Sequence, residues 1–426
     1  MEGLGAIAFA GFLLVLMFIK VPIGFAIGIV SMLTFLYYGI PTQILAQKFY
    51  TGMSSFTWVS IPLFILAGTI MAKGGLSERI VRFADSLIGR IKGGLGITTI
   101  FSSAFFAAIS GSSPATAAAI GSLMMPAMEK RNYPEKLAAA IVASGGVLGV
   151  LIPPSIILIA YGVLAEVSIT RLFIAAMIPG LLLATVMMVV TFFMAKGTGQ
   201  TSEPFSIRQV GKTFFQGFLS LMAPVVILGG IYLGIFTPTE SAVIAVFYGT
   251  AIGFIYRELN FGDLSEAVKK AVVVTGSLSI LWAAAASYSY ALTLSGITQS
   301  VAQSIIGVSE NPIVILMLIS ILVVVLGCFI NAMGMIILLT PIFVPIIQAI
   351  QFDLVAFGII FTIMCEIGFI TPPVGTNLFV VKSLCKHTDI LEISIVVLPY
   401  ILVLYAVVLV CILFPGLILF LPNAIL

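Results

Sequence analysis

Charge is what this sequence has least of. Its 426 residues include 19 Lys or Arg and 16 Asp or Glu, so only 8% are charged, where soluble proteins carry about 25%. Hydrophobic residues make up 61%. A soluble globule of this length needs a polar rim that so few charges cannot supply. A soluble enzyme, a nucleic-acid-binding protein and a disordered scaffold are therefore excluded, and the net charge of +3 suggests no nucleic-acid or anionic-lipid partner. Histidine is almost missing: His387 stands alone, too little for a metal site or a catalytic triad. The four cysteines (Cys328, Cys365, Cys385 and Cys411) have no CxxC spacing and sit among apolar residues. They read as small hydrophobes rather than disulfide partners or metal ligands. Met1 to Gly5 leads into an apolar stretch with neither a basic region nor a small-residue cleavage site. That start is expected to be a first span rather than a leader peptide.

What the chain does have is long apolar runs, from 4–19 through to 395–422. They are too long for barrel strands and show no period-2 alternation. A crossing helix needs about 20 mainly apolar residues, and lipid offers no partner to an unpaired backbone. The expectation is an all-α polytopic membrane protein lying in the lipid bilayer. Several runs are too short to cross alone or carry Pro or Gly in the middle. Charges gather in short connections, at Lys73 to Lys92, Glu129 to Lys136 and Arg257 to Lys270. The positive-inside rule favours the cytoplasm for the richest of these, but possible re-entrant segments make parity unsafe, so no orientation is assigned from sequence. The longest polar interval, Gly197 to Gly217, is the natural seam between two halves.

The halves are related. At an offset of 219 residues Pro126 falls on Pro345, Pro153-Pro154 on Pro372-Pro373, Gly149 on Gly368 and Ser112 on Asn331. An internal repeat of about half the chain follows. Interrupted hydrophobic segments in matching positions of two halves are the best sequence pointer to a transporter binding site.

Four such interruptions stand out. The first, Ser110-Gly-Ser-Ser-Pro-Ala-Thr116, divides an apolar run from 95 to 128. Ser113 is the expected N-cap, with Pro114 at the first helical position. The two arms would form a re-entrant hairpin, or else two ordinary spans joined by a tight surface loop. The second, Gly149-Val-Leu-Ile-Pro-Pro-Ser155, loses two backbone donors to its prolines, so the helix is expected to unwind near Ile152 and leave carbonyls free. A simple proline kink is the alternative. The repeat partners are Gly327-Cys-Phe-Ile-Asn-Ala-Met-Gly334, a second hairpin tip, and Gly368-Phe-Ile-Thr-Pro-Pro-Val-Gly-Thr-Asn377, a second unwound span. Thr371, Thr376 and Asn377 bring polar side chains to this last break, although buried Thr and Asn can also act as helix glue.

Half-helix N-termini attract carboxylates, and unwound carbonyls suit small cations. Two tips facing two unwound spans would make a carboxylate site flanked by two cation sites. None of the four motifs contains Lys or Arg, so an anion is expected to bind through helix dipoles, N–H groups, hydroxyls and co-bound Na⁺. Glu240 and Glu366 are possible proton or ion ligands, with capping or interfacial placement equally open. Trp58 and Trp282 read as packing or interface anchors. No GxSxG elbow and no base accompany the serines, which excludes a serine hydrolase.

With SGSSPAT, LGVLIPPS, the second hairpin before Thr340-Pro341 and ITPPVG on the page, the chain resembles a known family. It is similar over essentially its full length to the large membrane subunit (M/DctM-type) of tripartite ATP-independent periplasmic (TRAP) transporters, most of all to the sialic-acid members. The resemblance implies an ion-transporter-superfamily fold with inverted repeats, about 11 spans and two re-entrant hairpins. It implies a Na⁺-coupled importer of carboxylate solutes in the bacterial inner membrane, working by an elevator mechanism with two or more Na⁺. The implied partners are a small four-helix membrane subunit and a periplasmic substrate-binding protein. The chain begins and ends close to its outer spans, so a separate small subunit is expected.

The implied division is 1–94 scaffold, 95–196 transport domain, 197–300 arm and scaffold, and 301–426 transport domain. Implied Na⁺ ligands are Ser110, Ser112, Ser113, Gly145 and Gly149 in one half, and Gly327, Asn331, Gly368 and Thr371 in the other. Implied substrate contacts are Thr116, Thr376 and Asn377. The substrate expected from the resemblance is sialic acid. C4-dicarboxylates, a standalone Na⁺/dicarboxylate symporter and a channel are the alternatives.

Overall fold

A computed structural model describes residues 11–13, 15, 16, 19, 21–91, 93–198, 206–309 and 311–425. The expected first span, 4–19, lies largely outside them. Every regular element among the described residues is helical. The first half holds α1 (Ile23–Tyr37), α2 (Thr42–Met53), α3 (Ser60–Lys73), α4 (Leu76–Ile88), α5 (Gly94–Ser110), α6 (Ser113–Lys130), α7 (Glu135–Leu151), α8 (Ile156–Leu164) and α9 (Ile169–Ala195). The second holds α10 (Ile207–Tyr232), α11 (Pro238–Ile255), α12 (Phe261–Leu294), α13 (Ile297–Ile306), α14 (Pro312–Gly327), α15 (Ala332–Ala349), α16 (Leu354–Phe369), α17 (Thr376–Lys382), α18 (Ile390–Leu413) and α19 (Gly416–Ile425).

Seven helices among the described residues are long and apolar enough to cross a bilayer, and α7 with α8, bent by 41° at their break, makes an eighth. Shorter apolar helices include the hairpin arms α5 and α14, whereas the hairpin arm α15 is one of the seven. Polar side chains at the ends decide where helices start. Thr237 and Glu240 form a capping box at α11, and Asn260 and Asp263 form one at α12. Glu240 is therefore a cap. Asp353 Oδ1 accepts from Val355 N at 2.8 Å and Ala356 N at 2.9 Å to start α16.

The repeat predicted from the prolines extends to whole elements. Shifted by 219 residues, α6 falls on α15 with both ends matched, and α4, α5, α7, α8 and α9 fall on α13, α14, α16, α17 and α18 within about two residues. The copies are inverted. Hairpin α5–α6 is rooted where Arg131 pairs with Asp85 at 3.7 Å and Lys386 with Glu129 at 2.7 Å. Hairpin α14–α15 is rooted at the opposite end, where Asp353 pairs with Arg171 at 4.0 Å. The first end also holds Lys73–Glu266 at 2.6 Å and Arg79–Glu258 at 2.8 Å, so ion pairs crowd one face of the molecule.

Two packing units result. In one, α7 is the hub, buried against α5, α6, α9, α17 and α18. Its start is tied to the second repeat by Glu135, whose carboxylate accepts from Lys386 N (2.6 Å), His387 N (3.0 Å), Thr388 N (2.8 Å) and Thr388 Oγ1 (2.7 Å). In the other unit, α12 packs on α1, α2 and α3, and α3 on α11. Trp58 and Trp282 stack there at 4.9 Å, with Trp282 Nε1 donating to Gly52 O at 3.0 Å. Both indoles are buried, so they are packing residues. Such a stack adds about 1 kcal/mol beyond the area it buries.

Candidate functional site

A cavity of about 580 Å³ lies between the two units. Both hairpin tips reach it, through Ser110 and Ser112 on one side and Asn331 on the other, and Thr376 lines it from the second break. The remaining wall is formed by α3 and α12, down to Lys73 and Lys270. Those two residues belong to the end crowded with ion pairs, so the cavity runs from the tips toward that end.

At the first tip α5 stops at Ser110 because Gly111 turns left-handed, with φ +60°. A methyl group on Gly111 would come within 2.8 Å of the Pro154 carbonyl, and Ile156 N donates to Gly111 O at 3.3 Å. The hairpin tip is thus fastened to the break between α7 and α8. Ser112, not Ser113, is the extended N-cap residue: Ser113 is already helical, and the fixed φ of Pro114 suits the first turn. The Ser110 and Thr116 hydroxyls bond to each other at 2.6 Å. Gly149 packs against Ser112 O and Thr116 Oγ1. Thr116 is therefore buried inside the tip and does not line the cavity. Gly145 faces the Ser103 hydroxyl on α5, further down the hairpin, whereas its neighbour Gly146 faces Ser113 and Asn377.

At the second tip Asn331 Oδ1 accepts from Gly334 N at 2.8 Å, capping α15 while the residue stays exposed to the cavity. Gly327 and Gly368 meet backbone to backbone; a methyl on Gly368 would collide with Gly327 O. Val374 N donates to Cys328 O at 3.1 Å, the counterpart of the Ile156–Gly111 bond in the first repeat. Thr371 Oγ1 donates to Ile367 O at 2.6 Å, which leaves its lone pairs open. Asn377 is fully buried, and its Nδ2 donates to Ser113 Oγ at 2.8 Å and to Ala143 O at 3.0 Å. It joins the second break to the first tip and does not line the cavity. Of the three expected substrate contacts, only Thr376 reaches it.

The arrangement suits an anion. The N-termini of α6 and α15 enter the middle of the molecule from opposite ends, each presenting free N–H groups and partial positive charge. The four motifs carry no basic side chain, and the structure adds Lys73 and Lys270 to the cavity wall from the facing unit. Motif reading missed them, since they lie on helices without an interruption. Lys73 is held by Glu266 at 2.6 Å and Asp263 at 3.8 Å, whereas Lys270 is exposed.

No group of three or more His, Cys, Asp or Glu comes together among the described residues, so any cation would rest mainly on hydroxyl and carbonyl oxygens. The buried hydroxyls of Thr98, Ser102, Ser103 and Ser144, on α5 and α7, have no hydrogen-bond partner. Leaving such a group unsatisfied costs about 1–3 kcal/mol. Serines and threonines inside helices usually bond their own backbone, so nothing in the sequence marked these four.

Comparison with known proteins follows the same line. A family model described as the DctM component of the tripartite ATP-independent periplasmic transporter matches residues 10–417. An isethionate TRAP transporter permease protein, DctMQ, of Oleidesulfovibrio alaskensis is 40% identical over 404 residues, which is 94% of this chain and 64% of that protein. A sialic acid TRAP permease, SiaT, of Haemophilus influenzae is 34% identical over 96% of this chain and 67% of its own length. A C4-dicarboxylate TRAP large permease, DctM, of Rhodobacter capsulatus is 33% identical over 99% of both chains. The chain thus spans about two thirds of the length of the first two. Among solved structures, the Alcanivorax borkumensis YdaH transporter superposes with a TM-score of 0.63 at 18% identity, covering 89% of each chain, which is a likeness of fold.

Proposed function

Since the chain belongs to the DctM family of TRAP transporter components and is a multi-pass protein of the bacterial inner membrane, we propose that it is the permease subunit of a Na⁺-coupled importer of small organic acids. In this reading it works with a small four-helix membrane subunit and a periplasmic substrate-binding protein. The observation that carries the reading is the cavity between two inverted hairpin tips, closed by a second unit that supplies Lys73 and Lys270.

The substrate's acid group takes the N-termini of α6 and α15, with Ser110, Ser112, Asn331 and Thr376 as its polar contacts. Sialic acid, isethionate and C4-dicarboxylates name three relatives at comparable identity, so the class is an organic carboxylate or sulfonate. Na⁺ fits the carbonyl and hydroxyl oxygens around Ser112, Ser113 and Gly149 in the first half and around Gly327, Gly368 and Thr371 in the second. Bound there, it is coordinated by oxygens of both the tip and the break and so ties the two together. The oxygens of each half belong to a tip and a break already bonded together, so cation binding and substrate-site geometry are linked.

The end crowded with Lys and Arg is cytoplasmic by the positive-inside rule, which makes this an inward-open arrangement. The hairpin unit (95–196 and 301–426) moves as an elevator against the unit built on α3, α11 and α12. Its sliding contact is smooth at Gly68, where even a methyl group would come 3.2 Å from the Ser110 backbone.

The test is uptake by proteoliposomes containing the chain, its small subunit and the binding protein. Isethionate, sialic acid and succinate are compared with and without an inward Na⁺ gradient. Accumulation of one acid only with Na⁺ and binding protein is expected. Accumulation by this chain alone would make it a standalone symporter, and downhill flux indifferent to Na⁺ would make it a channel.

A further inference from the structure

Among the described residues Glu366 is the one buried carboxyl side chain, it stands in the hairpin unit's interior, and the proposed cycle leaves it without a task. It stands on α16 two residues before Gly368, wholly buried, and neither carboxylate oxygen has a hydrogen-bond partner. Among the described residues it makes no ion pair, and the polar group facing it is the Ser113 hydroxyl on the tip of the other repeat. That hydroxyl accepts from Asn377 Nδ2 at 2.8 Å, and the same nitrogen donates to Ala143 O at 3.0 Å. A main-chain carbonyl only accepts, so the amide cannot be flipped without losing that bond. Asn377 Oδ1 is then committed to being an acceptor, and it too is buried without a partner.

Three orphaned acceptor oxygens thus flank one hydroxyl in the protein interior. One of the groups is a carboxyl, which in this buried setting needs either a proton or a cation beside it. Oxygen atoms of this kind are what a hard cation takes as ligands. Close approach is permitted by Gly146, where a methyl group would come 2.9 Å from Asn377 Nδ2 and 3.1 Å from Ser113 O.

We propose that the Glu366 carboxylate, Ser113 Oγ and Asn377 Oδ1 form a Na⁺ site at the junction of the first hairpin tip and the second broken span. The inference rests on the reading of the chain as Na⁺-coupled and adds to it a charged ligand. It also adds an ion that bridges the two repeats, where the other cation positions each lie within one. Occupancy would hold α16 against the tip of α6 and so complete the substrate cavity from both halves at once.

The permease with its small subunit, in detergent, is titrated with NaCl at ionic strength held constant by choline chloride, and its thermal unfolding midpoint is followed. Wild type is expected to gain stability with Na⁺. In Glu366→Gln the Na⁺ concentration at half-effect is expected to rise about tenfold or more. Ser113→Ala should shift it in the same direction, and Glu366→Asp, which keeps the charge, should shift it less than Gln. Absence of any Na⁺ effect on wild type would overturn the coupling reading itself. A wild-type response with an unchanged half-effect in Glu366→Gln would overturn this site alone. If Glu366→Gln does not fold, unchanged half-effects in Glu366→Asp and Ser113→Ala overturn it equally.

Discussion

The two repeats share a backbone and divide a chemistry. Each has a hairpin, a tip fastened to a Pro-Pro break, and a resumed half-helix, at an offset of 219 residues. Apart from Ser112 on Asn331, their polar residues do not follow that offset. Val147, Ile152, Ile157 and Leu158 of the first break stand where the second has Glu366, Thr371, Thr376 and Asn377. At the tips the relation reverses: Ser110, Ser113 and Thr116 stand where the second has Phe329, Ala332 and Met335. The hydroxyl-rich tip of the first repeat therefore faces the polar break of the second, with Asn377 bonded to Ser113 across them. The site is one composite made from unlike halves rather than two equal sites, although the scaffold that aims it is symmetric.

The strongest way to break that composite is to make the second break like the first. Asn377→Leu, copying Leu158, removes the donor to Ser113 and Ala143 and should abolish uptake while costing about 2–3 kcal/mol of stability. Uptake and thermal unfolding of the detergent-solubilised protein measure both, and a transporting Asn377→Leu variant would contradict the composite reading.

Symmetry of the backbone predicts a matched pair of losses next. A methyl on Gly149 meets Thr116 Oγ1 at 2.5 Å and Ser112 O at 2.6 Å, and one on Gly368 collides with Gly327 O. Gly149→Ala and Gly368→Ala should each cost about 1–3 kcal/mol and depress Na⁺-driven uptake to a similar degree. A large difference between them would show that only one half carries the fastening.

Cavity-lining groups come third. Asn331→Ala and Thr376→Ala should lower Na⁺-driven uptake about tenfold, with membrane insertion intact by surface labelling. Wild-type rates in both would sink these contacts. The smallest effect is expected from the unit outside the repeats' tips. Lys270→Gln should raise the KM for the acid about threefold and flatten its dependence on ionic strength. An unchanged KM at low salt would remove Lys270 from the anion's path.

Much of this was legible in the chain. Paired prolines with a glycine four residues ahead gave both breaks, because loss of two amide donors ends a helix whatever surrounds it. The run of small and hydroxyl residues around Pro114 gave the first tip to within one residue of its N-cap. Gly327, expected as a ligand position, makes its close contact with the backbone of Gly368. Thr116 and Asn377, expected as substrate contacts, both face inward, since a helix start fixes which residues are polar and not which way they turn. Lys73 and Lys270 could not be found from motifs at all. They reach the cavity because α3 and α12 pack across it, about two hundred residues apart in the chain.

By itself, then, the sequence determined the class, the repeat and the places where helices must fail. Those follow from local rules: hydropathy against a bilayer, proline against a backbone donor, a fixed offset between two Pro-Pro breaks. The pairing of unlike halves was decided only by the tertiary structure. Inversion brings the tip of one repeat against the break of the other, so Ser113, Asn377 and Glu366 become neighbours although no spacing in the chain relates them.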